Sequence, residues 1–304
     1  MYITNFESGT SAILNIIKSA RVDRIIIAED MCPDVIKSII DCGVEVFLAP
    51  VERLGVQADY LSIYNIITKI DTVTAILFSH SYGVYDSQRL LETKAWLTDS
   101  DFIINDCCLC NPLDLIVDHR LHLPAVFSFG YSKVIDLDYG GLLASEQPVF
   151  FEENFRYVNY KVNRLEDEYN LRYSVFKSIT NHEFYETEFY NEISRYSARL
   201  KEHKKPFQEF LIDNMTEYRF IYSEWRFVVF TKLNTDSVVK LKSDAKRYGV
   251  FIGSNYPINE IAGEKVRPNI TRMDKEGWPI NVFTDFRVDS NYIEKTLKFI
   301  EGMI

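Results

Sequence analysis

Five short apolar runs recur along the first part of the chain, each long enough for one buried strand and too short for a helix. They are Arg24–Glu29, Val44–Ala49, Val73–Phe78, Asp101–Asp106 and Ala125–Phe129. Their hydrophobicity is nearly continuous rather than alternating, which is the pattern of strands covered on both faces. Between them lie segments of helical period. Ile13, Ile16, Ile17 and Ala20 precede the first run, and Val35, Ile36, Ile39 and Ile40 follow it, stopped by Gly43. Tyr60, Ile63 and Ile67 then share one face, and Ser87–Leu97 forms a further helix. Strand–helix alternation of this kind predicts an α/β fold with a mostly parallel central sheet and helices on both faces. In such sheets ligands gather beyond the carboxyl ends of the strands, so the residues that close each run carry the functional interest.

The pattern changes after Ser145. From Phe151 to about Glu217 the chain is rich in Tyr, Phe, Glu, Asn and Arg, as expected for long helices and connectors. Arg226–Thr231 reads as a strand, Val238, Leu241, Ala245 and Tyr248 as a helix closed by Gly249, and Val250–Ile252 and Asn281–Thr284 as further strands. A last helix carries Ile293, Leu297, Ile300 and Ile304. These signals describe a smaller α+β unit. The expected division is residues 1–148 as a large domain and residues 149–304 as a helical connector with a small C-terminal α+β domain.

A formal charge of −10 leaves no basic stripe to meet a phosphate backbone, which argues against general nucleic-acid binding. No apolar run reaches membrane-spanning length, and the opening Met-Tyr-Ile-Thr-Asn-Phe-Glu lacks a basic lead into an apolar core. With five cysteines, an odd number suited to a reducing compartment, a cytoplasmic location is expected.

Three segments fit one ligand. Ser128-Phe129-Gly130-Tyr131-Ser132-Lys133, followed by Gly140-Gly141, sets a lysine on the turn after a strand. A lysine that forms a Schiff base must leave bulk water, because burial lowers its pKa and frees its lone pair; a lysine on such a turn is otherwise simply solvated. Glu7-Ser8-Gly9-Thr10-Ser11-Ala12 opens the first helix. Ser8 or Thr10 can cap it, and Gly9 lets an anion approach the free amides at the positive end of the helix dipole; an ordinary N-cap is the plainer reading. Phe102-Ile103-Ile104-Asn105-Asp106 ends a buried strand in an acid, which can cap the next element or pair with a protonated heterocyclic nitrogen.

In order, Ser8-Gly9-Thr10-x-Ala12, His80-Ser81-Tyr82-Gly83, Asp106, Ser128-Phe129-x-x-x-Lys133, Gly140-Gly141 and Tyr256-Pro257 resemble the DegT/StrS-type sugar aminotransferases, a branch of the fold-type I PLP-dependent transferases. The resemblance implies pyridoxal 5'-phosphate (PLP) as cofactor, with Lys133 as its Schiff-base lysine and Asp106 as partner of the pyridine nitrogen. It makes Ser8, Gly9, Thr10 and Ser128 phosphate ligands, and it puts Cys32 where an aromatic residue commonly stacks on the ring. His80, Tyr82 and Tyr256 are candidate substrate contacts, with a satisfied structural histidine an equal reading of His80 and a core aromatic an equal reading of Tyr82. The implied reaction moves an amino group, from glutamate, to a keto sugar on a nucleotide, in polysaccharide or glycoconjugate synthesis, by a homodimer. A lyase or dehydratase sharing the same cofactor cup, or a non-catalytic partner protein, are the alternatives. Leu109 replaces a glutamine that touches the cofactor, the usual N-terminal arm is reduced, and Asn154, Asn159 and Asn163 offer no clear match to the segment that reaches a partner subunit.

The remaining polar features have plainer readings. Cys107-Cys108-x-Cys110 contains one CxxC without a second, and His119 and His122 fall at no zinc spacing, so no metal is expected. Cys32 has no local His to activate it. Arg267, Arg272 and Arg287 could clamp a carboxylate or phosphate, with surface placement the default.

Overall fold

The computed structural model describes residues 2–51, 58–67, 73–117, 120–130, 133–135, 140–146, 219–223, 225–230, 235–250, 252–254, 266–267, 279–282 and 290–301, with scattered helical positions between 195 and 209. The N-terminal elements are β1 (Tyr2–Phe6), α1 (Gly9–Ser19), β2 (Arg24–Ala28), α2 (Pro33–Asp41), β3 (Glu45–Ala49), α3 (Tyr60–Ile67), β4 (Thr74–Ser79), α4 (Ser87–Lys94), β5 (Phe102–Asp106), β6 (Ala125–Ser128) and β7 (Gly141–Ser145). They form a sheet of order β1-β7-β6-β5-β4-β2-β3, to which the two-residue β11 (Val266–Arg267) adds beside β3. All pairs from β3 to β6 are parallel, and β7 is antiparallel to both neighbours. The expected α/β class and its mostly parallel sheet are what the structure has.

Alternation along each strand explains why the runs are continuously apolar. Ile25, Ile27, Ala75 and Leu77 pack on the face covered by Ile13, Leu14 and Ile17 of α1 and Ile36 and Ile39 of α2. Ile26, Ile76 and Phe78 point the other way, onto Tyr60, Ile63 and Tyr64 of α3 and Leu90 of α4. Successive residues of one strand therefore feed opposite cores, and a polar residue at any of these positions would be stranded. Gly43 follows α2 with φ of +83°, the left-handed turn that glycine takes without steric cost.

Boundaries differ from expectation by a residue or two, and α4 ends at Lys94 rather than Leu97. Two strands are additions. β1 carries an exposed Tyr2 and Ile3 at the sheet edge and gives no buried-strand signal, while β7 reads as the tail of a glycine turn. Both are strands because β7 finds hydrogen-bonding partners on either side: Phe6 and Ser128 each sit opposite Gly141.

A second, antiparallel sheet has the order β10-β12-β9-β8, from β8 (Arg219–Tyr222), β9 (Phe227–Phe230), β10 (Ile252–Ser254) and β12 (Pro279–Val282). Helices α5 (Thr235–Arg247) and α6 (Ser290–Glu301) accompany it, with Phe227, Val229, Ala245, Val250, Ile280 and Val282 in its core. Here β8 is unanticipated, β10 begins where the expected strand ended, and β12 lies two residues earlier than its pattern suggested. The expected long helices between 151 and 194, with Asn154, Asn159 and Asn163, lie outside the described residues, as do Tyr256, Arg272 and Arg287.

Gly141 fixes how the β1–α1 turn crosses β7. A Cβ there would run into the backbone of Ser8 and the amide nitrogen of Gly9, which cannot rotate aside as a side chain would. Gly141→Ala is therefore expected to destabilise the fold by about 1–3 kcal/mol or more, read from the midpoint of urea unfolding.

Candidate active site

The first helix begins with a Ser8 cap. Ser8 Oγ accepts the Ser11 N–H at 3.0 Å, and Ser8 O accepts the Ala12 N–H at 3.1 Å. The plainer N-cap reading of Ser8 therefore holds for its side chain. Amides of Gly9 and Thr10, at the first two helical positions, have no carbonyl within the helix to bond to. Gly9 is buried at a three-way crossing, where an added Cβ would lie 2.6 Å from Cys108 Sγ and 3.0 Å from Ser128 Cβ. The absence of a side chain thus brings the α1 terminus against both the end of β6 and the loop after β5.

The glycine pair locks the crossing from behind. Gly140 N–H donates to Glu7 O at 3.0 Å, and Phe129 N–H donates to Gly140 O at 2.9 Å. Beyond β6, Gly130 N–H donates to Ser128 Oγ at 3.4 Å, and the Lys133 N–H closes a turn on Gly130 O at 3.2 Å. Lys133 is half-buried. Its charge is felt by the Cys108 thiol, which ties the lysine to the same neighbourhood as Gly9 and Ser128.

Asp106 is buried at the end of β5, where Oδ1 accepts the Cys108 N–H at 2.9 Å. Cys108 stands between the acid and the lysine. Burial and the nearby Asp106 carboxylate push its thiol pKa up, and Lys133 pulls the other way without cancelling that shift. The thiol is protonated and serves as packing at the crossing, not as a nucleophile. Three of the expected site residues (Gly9, Asp106 and Ser128) thereby meet at Cys108, with Lys133 within electrostatic reach and Thr10 beside Gly9 on the same helix terminus.

Other expected residues go elsewhere. Of the two readings of His80, the structure has the satisfied structural histidine and not the substrate contact. It is buried, its Nδ1 accepts the Asp86 N–H at 3.0 Å, its Nε2 meets Asn105 Oδ1 at 2.8 Å, and its ring packs on Phe78 and Tyr85. With an N–H donated to Nδ1, the ring is the neutral tautomer that donates from Nε2, and burial lowers its pKa to about 4. Both nitrogens are occupied inside the fold. Cys32 is exposed as the residue preceding α2, without a side-chain capping bond. Tyr82 is buried in the turn after β4 with φ of 58°. Cys107 and Cys110 join the apolar cluster around Phe127 and Leu142, and among the described residues no group of three or more His, Cys, Asp or Glu could hold a metal. A cavity of about 220 Å³ lined by Gly83, Tyr85, Cys110, Asn111, Asp114, Leu115 and Arg120 includes none of the expected site residues.

One acid was missed. Asp30 follows β2 on the same rim, with its carboxylate hydrogen-bonded by Ser81 and Tyr82, and burial pushes its pKa up to about 6. The signal was present: Glu29-Asp30 closes a buried strand as Asp106 does. Glu29 is used structurally, its Oε1 accepting the Val51 N–H at 3.0 Å.

No protein-family model and no curated protein sequence matches the chain. Among solved structures it is similar to a sugar aminotransferase from Streptococcus pneumoniae in its apo form, at 11% identity and a TM-score of 0.71 over 99% of this chain and 85% of that one. A DegT DnrJ EryC1 StrS aminotransferase from Brucella abortus gives 11% identity and a TM-score of 0.69, covering 100% and 86%. PseC of Helicobacter pylori, an aminotransferase involved in the biosynthesis of pseudoaminic acid, gives 13% and 0.68, covering 99% and 86%. The Streptococcus pneumoniae protein also has structures in PMP and PLP forms. The likeness shows that this chain shares the fold of these solved structures.

Asp30 and His80 give stability opposite pH slopes. The folded chain holds Asp30's proton up to about pH 6, against 3.8 ordinarily, so stability falls as pH rises through that window and the cost persists above it. The folded chain refuses a proton on His80 down to about pH 4, against 6.5 ordinarily, so stability falls as pH drops through that window. Asp30→Asn is therefore expected to stabilise the protein at pH 8, by on the order of 2–3 kcal/mol, and not at pH 4. Its loss of stability on acidification becomes steeper because the His80 slope is no longer opposed. Chemical denaturation across a pH series reads both effects.

Proposed function

We propose that the protein is a PLP-dependent aminotransferase that carries an amino group from glutamate to a keto sugar borne on a nucleotide, acting as a cytoplasmic homodimer in polysaccharide or glycoconjugate synthesis. The observation that supports this reading is the crossing of Gly9, Cys108 and Ser128, which sets the free amides of the α1 terminus beside the loop that follows Asp106, with Lys133 in electrostatic reach, in a fold shared with solved sugar aminotransferases.

The donor set suits PLP. Gly9 and Thr10 amides, with the hydroxyls of Thr10 and Ser128, fit a phosphate at the positive end of α1. Asp106 keeps a carboxylate on the rim with one oxygen on the Cys108 amide, and its negative charge would hold a proton on a pyridine nitrogen. When bound, PLP supplies an electron sink for bond cleavage at the donor carbon. Lys133 would anchor the cofactor and then, as a free amine, move the proton between donor and cofactor carbons. Cys32 and Leu109 take over positions where the resembling family stacks an aromatic ring and donates a hydrogen bond. Positioning therefore falls more heavily on the phosphate cup and on Asp106.

Borohydride treatment of the PLP-loaded protein, followed by peptide mapping, is expected to place the pyridoxyl group on Lys133; an adduct on Lys161 or Lys177 would overturn the assignment. Lys133→Ala is expected to abolish turnover. Asp106→Asn is expected to lower turnover about 100-fold or more while the protein stays folded, measured by coupled glutamate-dependent transamination.

Sedimentation over a dilution series, with and without PLP, is expected to show a dimer. A monomer that fails to take up PLP would favour the partner-protein alternative.

A further inference from the structure

We infer that Cys107 and Cys110 form a reversible oxidation site: hydrogen peroxide entering the cavity beside Cys110 joins the two thiols in a disulfide, and the closed loop loosens the α1 terminus packed on Cys108.

The backbone sets these two cysteines at the ends of one tight turn. Cys110 N–H donates to Cys107 O at 2.9 Å, with Cys108 and Leu109 as the residues of the turn. Such a turn brings its end Cα atoms within about 7 Å, and a disulfide spans Cα separations of about 4.4–6.8 Å. Both side chains lie in the buried cluster that holds Phe127 and Leu142. They also touch: after burial, contact with the Cys110 side chain is the next influence that pushes the Cys107 thiol up. The other two cysteines cannot pair with one another. Cys32 and Cys42 flank the nine-residue α2 and are about 15 Å apart along its axis.

An oxidant meets the two thiols in a fixed order. Cys110 lines the cavity of about 220 Å³, whose wall includes the exposed Arg120. Cys107 is fully buried off that wall, its thiol donating to Asn105 Oδ1 at 3.6 Å. Tyr85, Asn111, Asp114 and Arg120 give the cavity polar walls, which suit a small hydrogen-bonding oxidant such as hydrogen peroxide. The Cys110 sulfur attacks one peroxide oxygen: an S–O bond forms, the O–O bond breaks, and hydroxide leaves with the thiol proton as water. The Cys107 sulfur then attacks the Cys110 sulfenic sulfur: the S–S bond forms, the S–O bond breaks, and hydroxide leaves with the Cys107 proton as a second water. Two thiols lose two electrons and one peroxide becomes two waters. A disulfide is apolar and suits the cluster, whereas a sulfinic acid would bury a charge there, so the oxidation stops at its reversible stage.

The turn between the two cysteines belongs to the crossing of α1 with the sheet. Cys107 N–H donates to Val126 O at 2.8 Å, and Cys108 N–H donates to Asp106 Oδ1 at 2.9 Å. Cys108 Sγ lies where Gly9 leaves no room for a Cβ, and Leu109 O is pressed against Gly83 in the same way. Joining the sulfurs draws the ends of the turn together, and Cys108 and Leu109, confined between them, must shift. Packing contacts are individually weaker than hydrogen bonds, so the seat of Cys108 on Gly9 yields first.

The test treats the reduced full chain with excess hydrogen peroxide, alkylates it after denaturation and maps the tryptic peptide of residues 95–120, which carries Cys107, Cys108 and Cys110. Neither PLP nor a sugar is added, so the outcome is separate from that of the enzyme reading. The wild-type peptide is expected to lose two of its three alkylation sites and to regain them with dithiothreitol. Cys108→Ala, which leaves one possible pair on the peptide, is expected to lose both of its sites. Amide exchange at Ser11 and Ala12, whose N–H groups Ser8 accepts, is expected to speed up at least about tenfold on oxidation of the wild-type chain and to stay unchanged in Cys110→Ala. Three free thiols on the peptide after peroxide, a disulfide that includes Cys108, or a sulfinic acid in place of the disulfide overturns the site. A Cys107–Cys110 disulfide with unchanged exchange at Ser11 and Ala12, or equal acceleration in Cys110→Ala, overturns its action on α1.

Discussion

Everything placed at the candidate site depends on a close approach of three backbones that tolerates no side chain. Gly9 at the start of α1 is pressed against Cys108 and Ser128, and Gly141 admits Ser8 and Gly9 on its other side. Side chains at either position would push α1 off the sheet end, carrying its free amides away from Asp106 and Lys133. Two glycines thus convert a sheet that many activities could use into one with a helix terminus and an acid at a single thiol, and an amine within electrostatic reach of it. The remaining contacts at the crossing are backbone bonds, from Gly140 to Glu7 and from Phe129 to Gly140, which keep it from sliding.

The polar residues along the rim divide by whether the fold has already satisfied them. His80 has both ring nitrogens engaged and a pKa lowered by burial, which makes it an internal strut between β4, β5 and the α4 cap. Glu29 is turned to the Val51 amide. Asp30 receives two hydroxyls but no cation, and burial raises its pKa instead. Asp106 receives one backbone amide from the residue two places on. Asp30 and Asp106 follow or end strands on a rim where parallel sheets bind ligands, whereas both ring nitrogens of His80 are engaged inside the fold.

Much of the fold was legible because each inner strand is built on a continuous apolar run. Ile25-Ile26-Ile27 and Ala75-Ile76-Leu77-Phe78 cannot be surface strands, and their helical spacers cannot bury a stripe except on such a sheet. Within the site, Asp106, Lys133 and Gly9 could be proposed from the residues that end strands or begin a helix. Asp30 follows a strand in the same way, but nothing local to Glu29-Asp30-Met31 separates an acid bound to the Val51 amide from one left on the rim. The two readings of His80 stayed open in the sequence because nothing in Ser79-His80-Ser81 says that Asn105, twenty-five residues later, will meet its ring.

What the sequence determined by itself was the alternation of buried strands and helices, and hence a mostly parallel sheet; hydrophobic period is local information and survives reading one segment at a time. Tertiary structure decided the rest. It made strands of Tyr2–Phe6 and Gly141–Ser145, because an edge strand and its neighbour are defined by the hydrogen bonds they find on one another. It also decided which polar residues are consumed inside the fold, because burial and hydrogen-bond partners depend on segments far apart in the chain. The pKa of Asp30 and the neutrality of His80 are properties of that arrangement, not of an aspartate or a histidine.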